Sequence, residues 1–302
     1  MASSKFSVNS QPRDMLIEIT NRCNYRCNFC IHSKMKSHFG DIDPDFLKYI
    51  FKQAYAMGIN RIGLYTIGEM FLCKELLTHI RNAKDIGFDY VYSDTNGALA
   101  SKENLKGVIE AGLDSIKFSI NAGKSETYKK IHGPNTFEIV IDNLRTCYEL
   151  KQEINPNFRL MVSYVVTKEN EDEVGLLKEI VAPYVDSFET HSILVRNDSI
   201  NDPRRNLIPD DKNASYSIPC SIVFNRIHVT FDGYLTACCQ DFNQDLLLAD
   251  LKITPLKEAW VSSNAIKLRE AHLNQKLDGL LCANCCSENY CSYKSLKVQI
   301  LL

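Results

Sequence analysis

No apolar run in this chain reaches the ~18 residues that a membrane-spanning helix needs, so no span is expected. Charge of one sign is not concentrated either. The 35 Lys and Arg stand against 37 Asp and Glu, a net charge of −2. That balance excludes the dense basic surface of a nucleic-acid groove or of a protein held on anionic lipid. Residues 1–13 are polar and lack an apolar segment, so no signal peptide is expected and the chain reads as cytoplasmic. There is no repeat at solenoid periods and no low-complexity tract. Tryptophan occurs once, at Trp260, which is expected to anchor a core. A length of 302 residues suits one large domain, or one large and one small.

Cysteine, by contrast, is abundant. Ten of the twelve cysteines fall in two clusters, at 23–30 and 220–291, with Cys73 and Cys147 apart. Without a secretion signal a disulfide framework is not expected, because cytosolic thiols are kept reduced. Clustering at ligand-like spacings favours metal. The first cluster is the CxxxCxxC run Cys23-Asn24-Tyr25-Arg26-Cys27-Asn28-Phe29-Cys30. Thiolates are soft ligands that select zinc or iron–sulfur iron over magnesium or calcium. Three on one short loop leave a coordination position open, as a catalytic metal does and a structural one does not. At this point a structural zinc knuckle completed by His32 competes.

The chain around that loop alternates short apolar strands with helices. Strands are expected at 15–20, 61–67, 90–93, 115–120, 160–167 and 187–194. Asp43-Pro44 opens a helix carrying Phe46, Leu47, Ile50, Phe51 and Ala54, which Gly58 ends. Further helices are expected near 74–86, 101–111, 137–151 and 171–182, with 125–131 in a longer connection. Such alternation implies a parallel sheet with helical crossovers, whether an open doubly wound sheet or a barrel-like one. Ligands in either gather at the carboxyl ends of the strands. The unusual polar residues fall at those ends: the cysteine loop, Gly68-Glu69, Thr95-Asn96, then Ser119 and Asn121. Each alone suits a turn or a cap; four in register with the cysteine loop point to a site.

Beyond residue 200 the pattern changes. The stretch 197–217, with two prolines and four Asp, reads as a linker. The alternating segment 225–239 around Asp232-Gly233 reads as a hairpin. Thr254-Pro255 opens a helix carrying Leu256, Ala259, Trp260, Ile266 and Leu268, and the tail holds Cys282, Cys285, Cys286 and Cys291.

With Phe29 before its third cysteine, the CxxxCxxC run resembles the signature of the radical S-adenosylmethionine (SAM) enzymes. Thr66-Ile67-Gly68-Glu69 stands where that family has Gly-Gly-Glu, with Ile67 in place of the first glycine. Thr95-Asn96-Gly97 is similar to its motif after strand three, and Ser119-Ile120-Asn121 to its strand-four motif. His132-Gly133 stands where many members have Arg-Gly at the SAM carboxylate, and Val166 at an apolar position near adenine. The C-terminal unit resembles the auxiliary-cluster extensions called SPASM and twitch domains. Cys220, Gly233 and Cys238 fit their first half; Cys282, Cys285 and Cys291 fit the start of the second, and Ser295 stands where the full pattern has a further cysteine.

The resemblance implies an α/β fold: a partial (β/α)6 TIM-like barrel over 1–205, then a small C-terminal α+β auxiliary-cluster domain over 206–302. It implies one [4Fe–4S] cluster on Cys23, Cys27 and Cys30 whose open iron takes SAM. Phe29, Ile67, Gly68, Glu69, Thr95, Asn96, Ser119, Asn121, His132 and Val166 would contact SAM. One auxiliary [4Fe–4S] cluster would sit on Cys220, Cys238, Cys282 and Cys285, with Cys291 as a substitute ligand. One-electron cleavage of SAM would yield a radical that abstracts hydrogen from carbon, fed by a flavodoxin or ferredoxin. The first strand begins by about residue 15, which leaves no room for a preceding peptide-binding segment. A compact barrel with a single-cluster extension resembles the members that act on sugars, aminocyclitols or aminoglycosides, which implies such a substrate, oxidised or epimerised. Epimerisation needs a hydrogen donor, for which Cys239, Cys286 and Cys291 are the candidates. A peptide or protein maturase and a non-catalytic iron–sulfur electron carrier are the alternatives. Neither nucleic acid nor membrane is an expected partner.

Overall fold

The structure, a computed structural model, describes residues 6–35, 38–193, 202–209, 218–285 and 295–296. Six strands alternate with helices: β1 (Asp14–Ile17), α1 (Pro44–Ala56), β2 (Arg61–Gly63), α2 (Leu76–Ile86), β3 (Tyr90–Thr95), α3 (Lys102–Glu110), β4 (Ser115–Ser119), α4 (Ser125–His132), α5 (Phe137–Ile154), β5 (Arg159–Val166), α6 (Val174–Val181) and β6 (Ser187–Ser192). There follow α7 (Ile222–Asn225), β7 (Arg226–Val229), β8 (Tyr234–Thr236), β9 (Leu247–Asp250), α8 (Leu256–Trp260) and α9 (Ser263–Leu273).

Among the described residues the nine strands form one sheet, in the order β6-β5-β4-β3-β2-β1-β7-β8-β9. Neighbours from β6 to β7 run parallel, as helical crossovers require. The fold is an α/β partial TIM-like barrel that stays open. The second neighbour of β1 is β7, in register from Asp14↔Arg226 to Ile17↔Val229, rather than β6. The C-terminal unit thus continues the barrel's own sheet before its strands turn antiparallel at β8 and β9.

Local chemistry accounts for the element ends. The Asp43 carboxylate caps α1 by accepting from Phe46 N at 2.8 Å, and Ser101 does the same for α3 from Asn104 N at 3.2 Å. Such caps are worth ~1 kcal/mol each. Gly87 closes α2 in the left-handed region, φ 111°. The hairpin turn at Asp232-Gly233 uses Gly233 at φ 88°. Leu47, Ile50, Phe51 and Ala54 of α1 are buried as their spacing predicts.

Two expectations are corrected. The longer connection expected over 125–131 is itself a helix, α4, and the distant Glu173 carboxylate accepts from Gly123 N (2.9 Å) and Lys124 N (3.1 Å) just before it. The helix expected from Thr254 is two helices. Ser262 caps the second by accepting from Ala265 N at 3.3 Å. Trp260 is the anchor expected of it: 3 % exposed, donating from Nε1 to Ser10 O at 2.8 Å, with the Arg269 guanidinium 3.9 Å above its ring. Among the described residues no helix is long and apolar enough to cross a membrane.

Candidate active site

The cysteine loop leaves the sheet just after β1 and is closed on itself before the first thiol. Asn21 donates from Nδ2 to His38 O (2.9 Å) and accepts at Oδ1 from Gly40 N (2.8 Å). Arg22 pairs with Asp41. Further along, Asn28 N donates to Ile131 O at 2.8 Å and Arg26 N to His132 O at 3.4 Å, which ties the loop to the end of α4. Cys30 then caps the short helix Ile31–Lys34. His32 Nε2 lies 2.8 Å from Asn21 O, so that ring nitrogen is spent within the loop.

The three thiols share one environment. Burial pushes Cys23 up to about 11 and raises Cys27 and Cys30 as well; Cys27 is raised further by Cys30 and Cys23. Groups that resist ionisation singly and repel one another suit a site whose bound cation holds all three as thiolates. Among the described residues no three His, Cys, Asp or Glu side chains are drawn tightly enough to enclose a single metal ion. Three soft thiols on one loop, with a coordination position left open, fit an iron–sulfur cluster.

Glu69 is the strut beside this loop. It is 1 % exposed, and its Oε1 accepts from Thr95 Oγ1 (2.7 Å) and Phe71 N (3.2 Å), its Oε2 from Asn96 N (2.7 Å). Burial raises its pKa against those donors. Its own N–H donates to Arg22 O at 2.8 Å. A Cβ on Gly68 would come within 2.2 Å of Thr20 O and 2.9 Å of Arg22 O, so only glycine lets the two loops meet. Asn96 Nδ2 donates to Asn24 Oδ1 at 2.8 Å and lies 4.0 Å from Cys23 Sγ. Half-buried Ile67 precedes this junction.

His132, 1 % exposed, meets the loop from the other side, with Nδ1 3.1 Å from Cys27 Sγ. Asn121 settles the tautomer. Its Oδ1 accepts from Val165 N at 2.6 Å, which turns Nδ2 toward His132 Nε2, 3.4 Å away. Nε2 is then the acceptor, and Nδ1 carries the hydrogen aimed at the sulfur. Burial drives the ring's pKa down to about 3, so His132 is neutral. It offers an N–H to a cysteine where the family pattern offers a cation. Tyr128 packs on the ring at 4.2 Å and Phe29 edges it at 6.3 Å. Ser119 Oγ, at the end of β4, lies 3.3 Å from Ser163 Oγ in the middle of β5, and Val166 is buried at the end of β5.

Sequence reasoning missed Glu173 and Asn170. Asn170 donates from Nδ2 to Asn121 O (2.8 Å) and Val165 O (2.9 Å), while Glu173 organises the start of α4. The acidic run 171–173 signals a helix start, but its targets some fifty residues away are set by tertiary contact alone.

Asp94 near the end of β3, Lys117 in the middle of β4, and Glu189 and His191 of β6 form a charged row. Lys117 Nζ stands 3.3 Å from Glu189 Oε2 and 4.0 Å from Asp94 Oδ2. Burial lifts the Asp94 carboxyl to about 7, against the pull of Lys117, and lifts Glu18 likewise to about 7. Glu18 accepts from Thr66 Oγ1 and Phe231 N, both at 3.2 Å. It lines a cavity of about 30 Å³ together with Thr66, His228, Cys238, Cys239 and Asp241. Cys239, half-buried, therefore faces the same space as Glu18. Cys238 and Cys282 are buried, Cys220 and Cys285 partly so, the latter pair-mate of Cys282 on the short helix Leu281–Cys285. Cys286 and Cys291 lie outside the described residues.

Comparison with known proteins agrees with this arrangement. Residues 17–180 match the model of the radical SAM superfamily, and residues 220–286 that of an iron–sulfur cluster-binding domain. A "probable GTP 3′,8-cyclase" of Saccharolobus solfataricus is 31 % identical over 163 residues, 53 % of this chain; the chain spans only half (50 %) of that relative's length. One of the same name from Sulfurisphaera tokodaii is 25 % identical over 88 % of this chain and 95 % of its own. Among solved structures, BtrN in complex with AdoMet and 2-DOIA superposes with a TM-score of 0.61 at 21 % identity, over 94 % of this chain and 96 % of that one. Streptococcus suis SuiB bound to S-adenosylmethionine gives 0.70 at 12 % identity, over 86 % and 68 %. These two likenesses concern the fold. The matched domains bring a SAM-binding [4Fe–4S] cluster, SAM itself and an auxiliary iron–sulfur cluster. With its CxxxCxxC loop held between Glu69 and His132 at the mouth of an open parallel barrel, this chain belongs to the radical SAM superfamily.

Proposed function

We propose that this enzyme cleaves SAM reductively and takes a hydrogen atom from a carbon of a sugar, aminocyclitol or aminoglycoside-type substrate, giving oxidation or epimerisation. In this reading residues 1–205 carry the SAM chemistry and 206–302 the auxiliary cluster, on Cys220, Cys238, Cys282 and Cys285. The observation that carries it is the charged row Asp94, Lys117 and Glu189 on β3, β4 and β6, with contacts of 4.0 and 3.3 Å. Acidic and basic groups set side by side suit a ligand dense in hydroxyls and amines. BtrN, alike in fold over almost the full length of both chains, was solved with AdoMet and 2-DOIA.

When bound, the cluster and SAM supply a one-electron cleavage and a hydrogen-abstracting radical. The chain's own residues do the rest. Glu69, Thr95 and Asn96 hold the loop that carries the thiols. Lys117 with its two carboxylates orients substrate hydroxyls or amines. Glu18 and Cys239 border one small cavity on the β1 and C-terminal side. An electron donor of flavodoxin or ferredoxin type completes the cycle.

A second reading, cyclisation of GTP, is favoured by the relatives of that printed name. The peptide-maturase reading draws on the fold of SuiB, solved with a precursor peptide. One experiment separates them. Reconstituted enzyme, reductant and SAM are incubated with carbon-deuterated aminocyclitols and sugars, GTP, or a peptide panel, and 5′-deoxyadenosine is analysed by mass. Deuterium appearing in 5′-deoxyadenosine from an aminocyclitol or sugar is the expected result. Label arriving only from GTP or a peptide would overturn the substrate class, and no 5′-deoxyadenosine at all would make the chain an electron carrier. Turnover in heavy water then separates the outcomes. A ketone with no solvent deuteron on carbon means oxidation; one deuteron on an inverted carbon means epimerisation with a thiol donor.

A further inference from the structure

The loop that carries the thiols is fastened to the end of α4 on both sides of Cys27. Arg26 N donates to His132 O at 3.4 Å, and Asn28 N to Ile131 O at 2.8 Å. Between these two backbone bonds the His132 ring meets the sulfur, with Nδ1 3.1 Å from Cys27 Sγ. Each thiol of the loop has a nitrogen beside it. At Cys30 it is the backbone N–H of His32 at 3.5 Å, and at Cys23 the side-chain amide of Asn96 at 4.0 Å. The contact at Cys27 is the shortest of the three.

The ring is clamped and its hydrogen is placed. Its centre lies 4.2 Å from that of Tyr128, 5.6 Å from Tyr25 and 6.3 Å from Phe29. The hydroxyls of Tyr25 and Tyr128 stand 3.1 Å apart, which joins two of those walls. On the far side Asn121 Nδ2 faces Nε2 at 3.4 Å. Turning that amide over would set its NH2 against the N–H of Val165, which donates to Oδ1 at 2.6 Å. Asn121 is itself held by Asn170, whose Nδ2 donates to Asn121 O at 2.8 Å and Val165 O at 2.9 Å. A protonated Nε2 would meet the Asn121 NH2 donor to donor. Nε2 therefore accepts, and the single hydrogen of the ring is on Nδ1, toward the sulfur.

We propose that His132 donates its Nδ1–H to the Cys27 thiolate of the SAM-binding cluster and so eases that cluster's one-electron reduction. It is a positioning residue that acts through Cys27. A hydrogen bond to a thiolate is charge-assisted, and it strengthens as the sulfur gains charge, so it favours the reduced cluster. Hydrogen bonds to the sulfurs are among the quantities that set iron–sulfur potentials. The one N–H of the ring is then spent on the cluster and not on the SAM carboxylate, the role that the family resemblance implies for this position. This inference rests on the cluster assignment and is independent of which substrate is used.

The test uses the holoenzyme, with iron and sulfide counted first, which checks the cluster assignment by itself. The cluster whose electron paramagnetic resonance changes when SAM is added is the open-iron one, and the other is an internal reference. Enzyme carrying isotopically labelled histidine is reduced and studied by pulsed electron paramagnetic resonance. A histidine nitrogen coupled to the SAM-responsive cluster is expected, and the coupling should vanish in His132→Asn. No histidine coupling in the parent overturns the proposal. So does a coupling that survives in His132→Asn, since it belongs to another ring such as that of His32. Potentiometry then separates the donor from the shape. His132→Asn keeps an amide N–H close to where Nδ1 stands, and His132→Phe keeps the bulk of the ring without it. In His132→Phe the SAM-responsive couple should become about tenfold harder to reduce, equivalent to about 59 mV for one electron. The reference couple and the affinity for SAM should not move, and His132→Asn should titrate near the parent. An unshifted couple in His132→Phe at full iron, or weakened SAM binding with the potential unmoved, overturns the proposal. Should His132→Phe lose its cluster, retained iron and a parent-like potential in His132→Asn support the donor role, whereas a shifted couple there, or loss of the cluster from both variants alike, overturns it in favour of packing.

Discussion

The carboxylate of Glu69 accepts a 2.7 Å hydrogen bond from the backbone N–H of Asn96, and the Asn96 side chain reaches back to Asn24 in the cysteine loop at 2.8 Å. One buried carboxylate thus joins the loop after β2, the end of β3 and the thiol loop after β1. Glu69→Gln puts an amide where both carboxylate oxygens accept, so one N–H donor is left facing another. A loss of about 1–3 kcal/mol is expected, read from the denaturant midpoint, with lower iron content at the SAM-binding cluster. Unchanged stability would mean that the three donors find other partners.

Gly68→Ala tests the neighbouring contact more locally. The added methyl meets backbone, not a flexible side chain, since Thr20 O would lie at 2.2 Å. The cysteine loop must shift. Two cubanes give ~8 iron per chain, and this variant is expected to keep the auxiliary share and lose most of the other, falling toward ~4. Replacing Cys23, Cys27 and Cys30 together by Ala should give the same remainder. Full iron in Gly68→Ala would show that the loop adapts.

Cys282 and Cys285 stand on one short helix in the C-terminal unit. Changing both to Ala is expected to stop substrate turnover yet leave slow, uncoupled 5′-deoxyadenosine formation, measured by chromatography. Loss of all SAM cleavage, in a folded variant with an intact first cluster, would tie the two clusters together.

His79 gives a pH dependence that involves no cluster ligand. It is 0 % exposed on α2, neither ring nitrogen has a hydrogen-bond partner among the described residues, and burial lowers its pKa to about 4. The folded pKa lies below the unfolded one, so the unfolded chain binds the proton first. Stability is therefore full above about pH 6.5 and falls as pH drops toward 4, by roughly 3 kcal/mol over the window. His79→Leu is expected to flatten that part of the profile, followed as the difference in apparent Tm from the parent between pH 7 and 4.5. Parallel profiles would show that His79 gains a proton partner on folding.

Much of this was legible in one dimension. Helix caps such as Asp43 and Ser101, the turn at Gly233 and the strand–helix alternation are local consequences of side-chain and backbone chemistry within a few residues. The CxxxCxxC spacing likewise places three thiols on one loop wherever that loop sits. The polar residues after each strand were predictable as a group, because a parallel sheet brings its carboxyl ends together. The partners of those residues were decided only by the tertiary structure. Glu69 meets Thr95 and Asn96, Glu173 organises α4 fifty residues upstream, His132 turns an N–H toward Cys27, and Asp202, in a segment that looks like a linker, meets Lys34. Each of these is a buried polar group whose desolvation must be offset by a specific partner. Burial is a property of the packed chain, so composition and spacing carry no trace of which partner that is. The pairing of β7 with β1 is of the same kind: the sequence determines two apolar strands, and it takes the open edge of a barrel to make them neighbours.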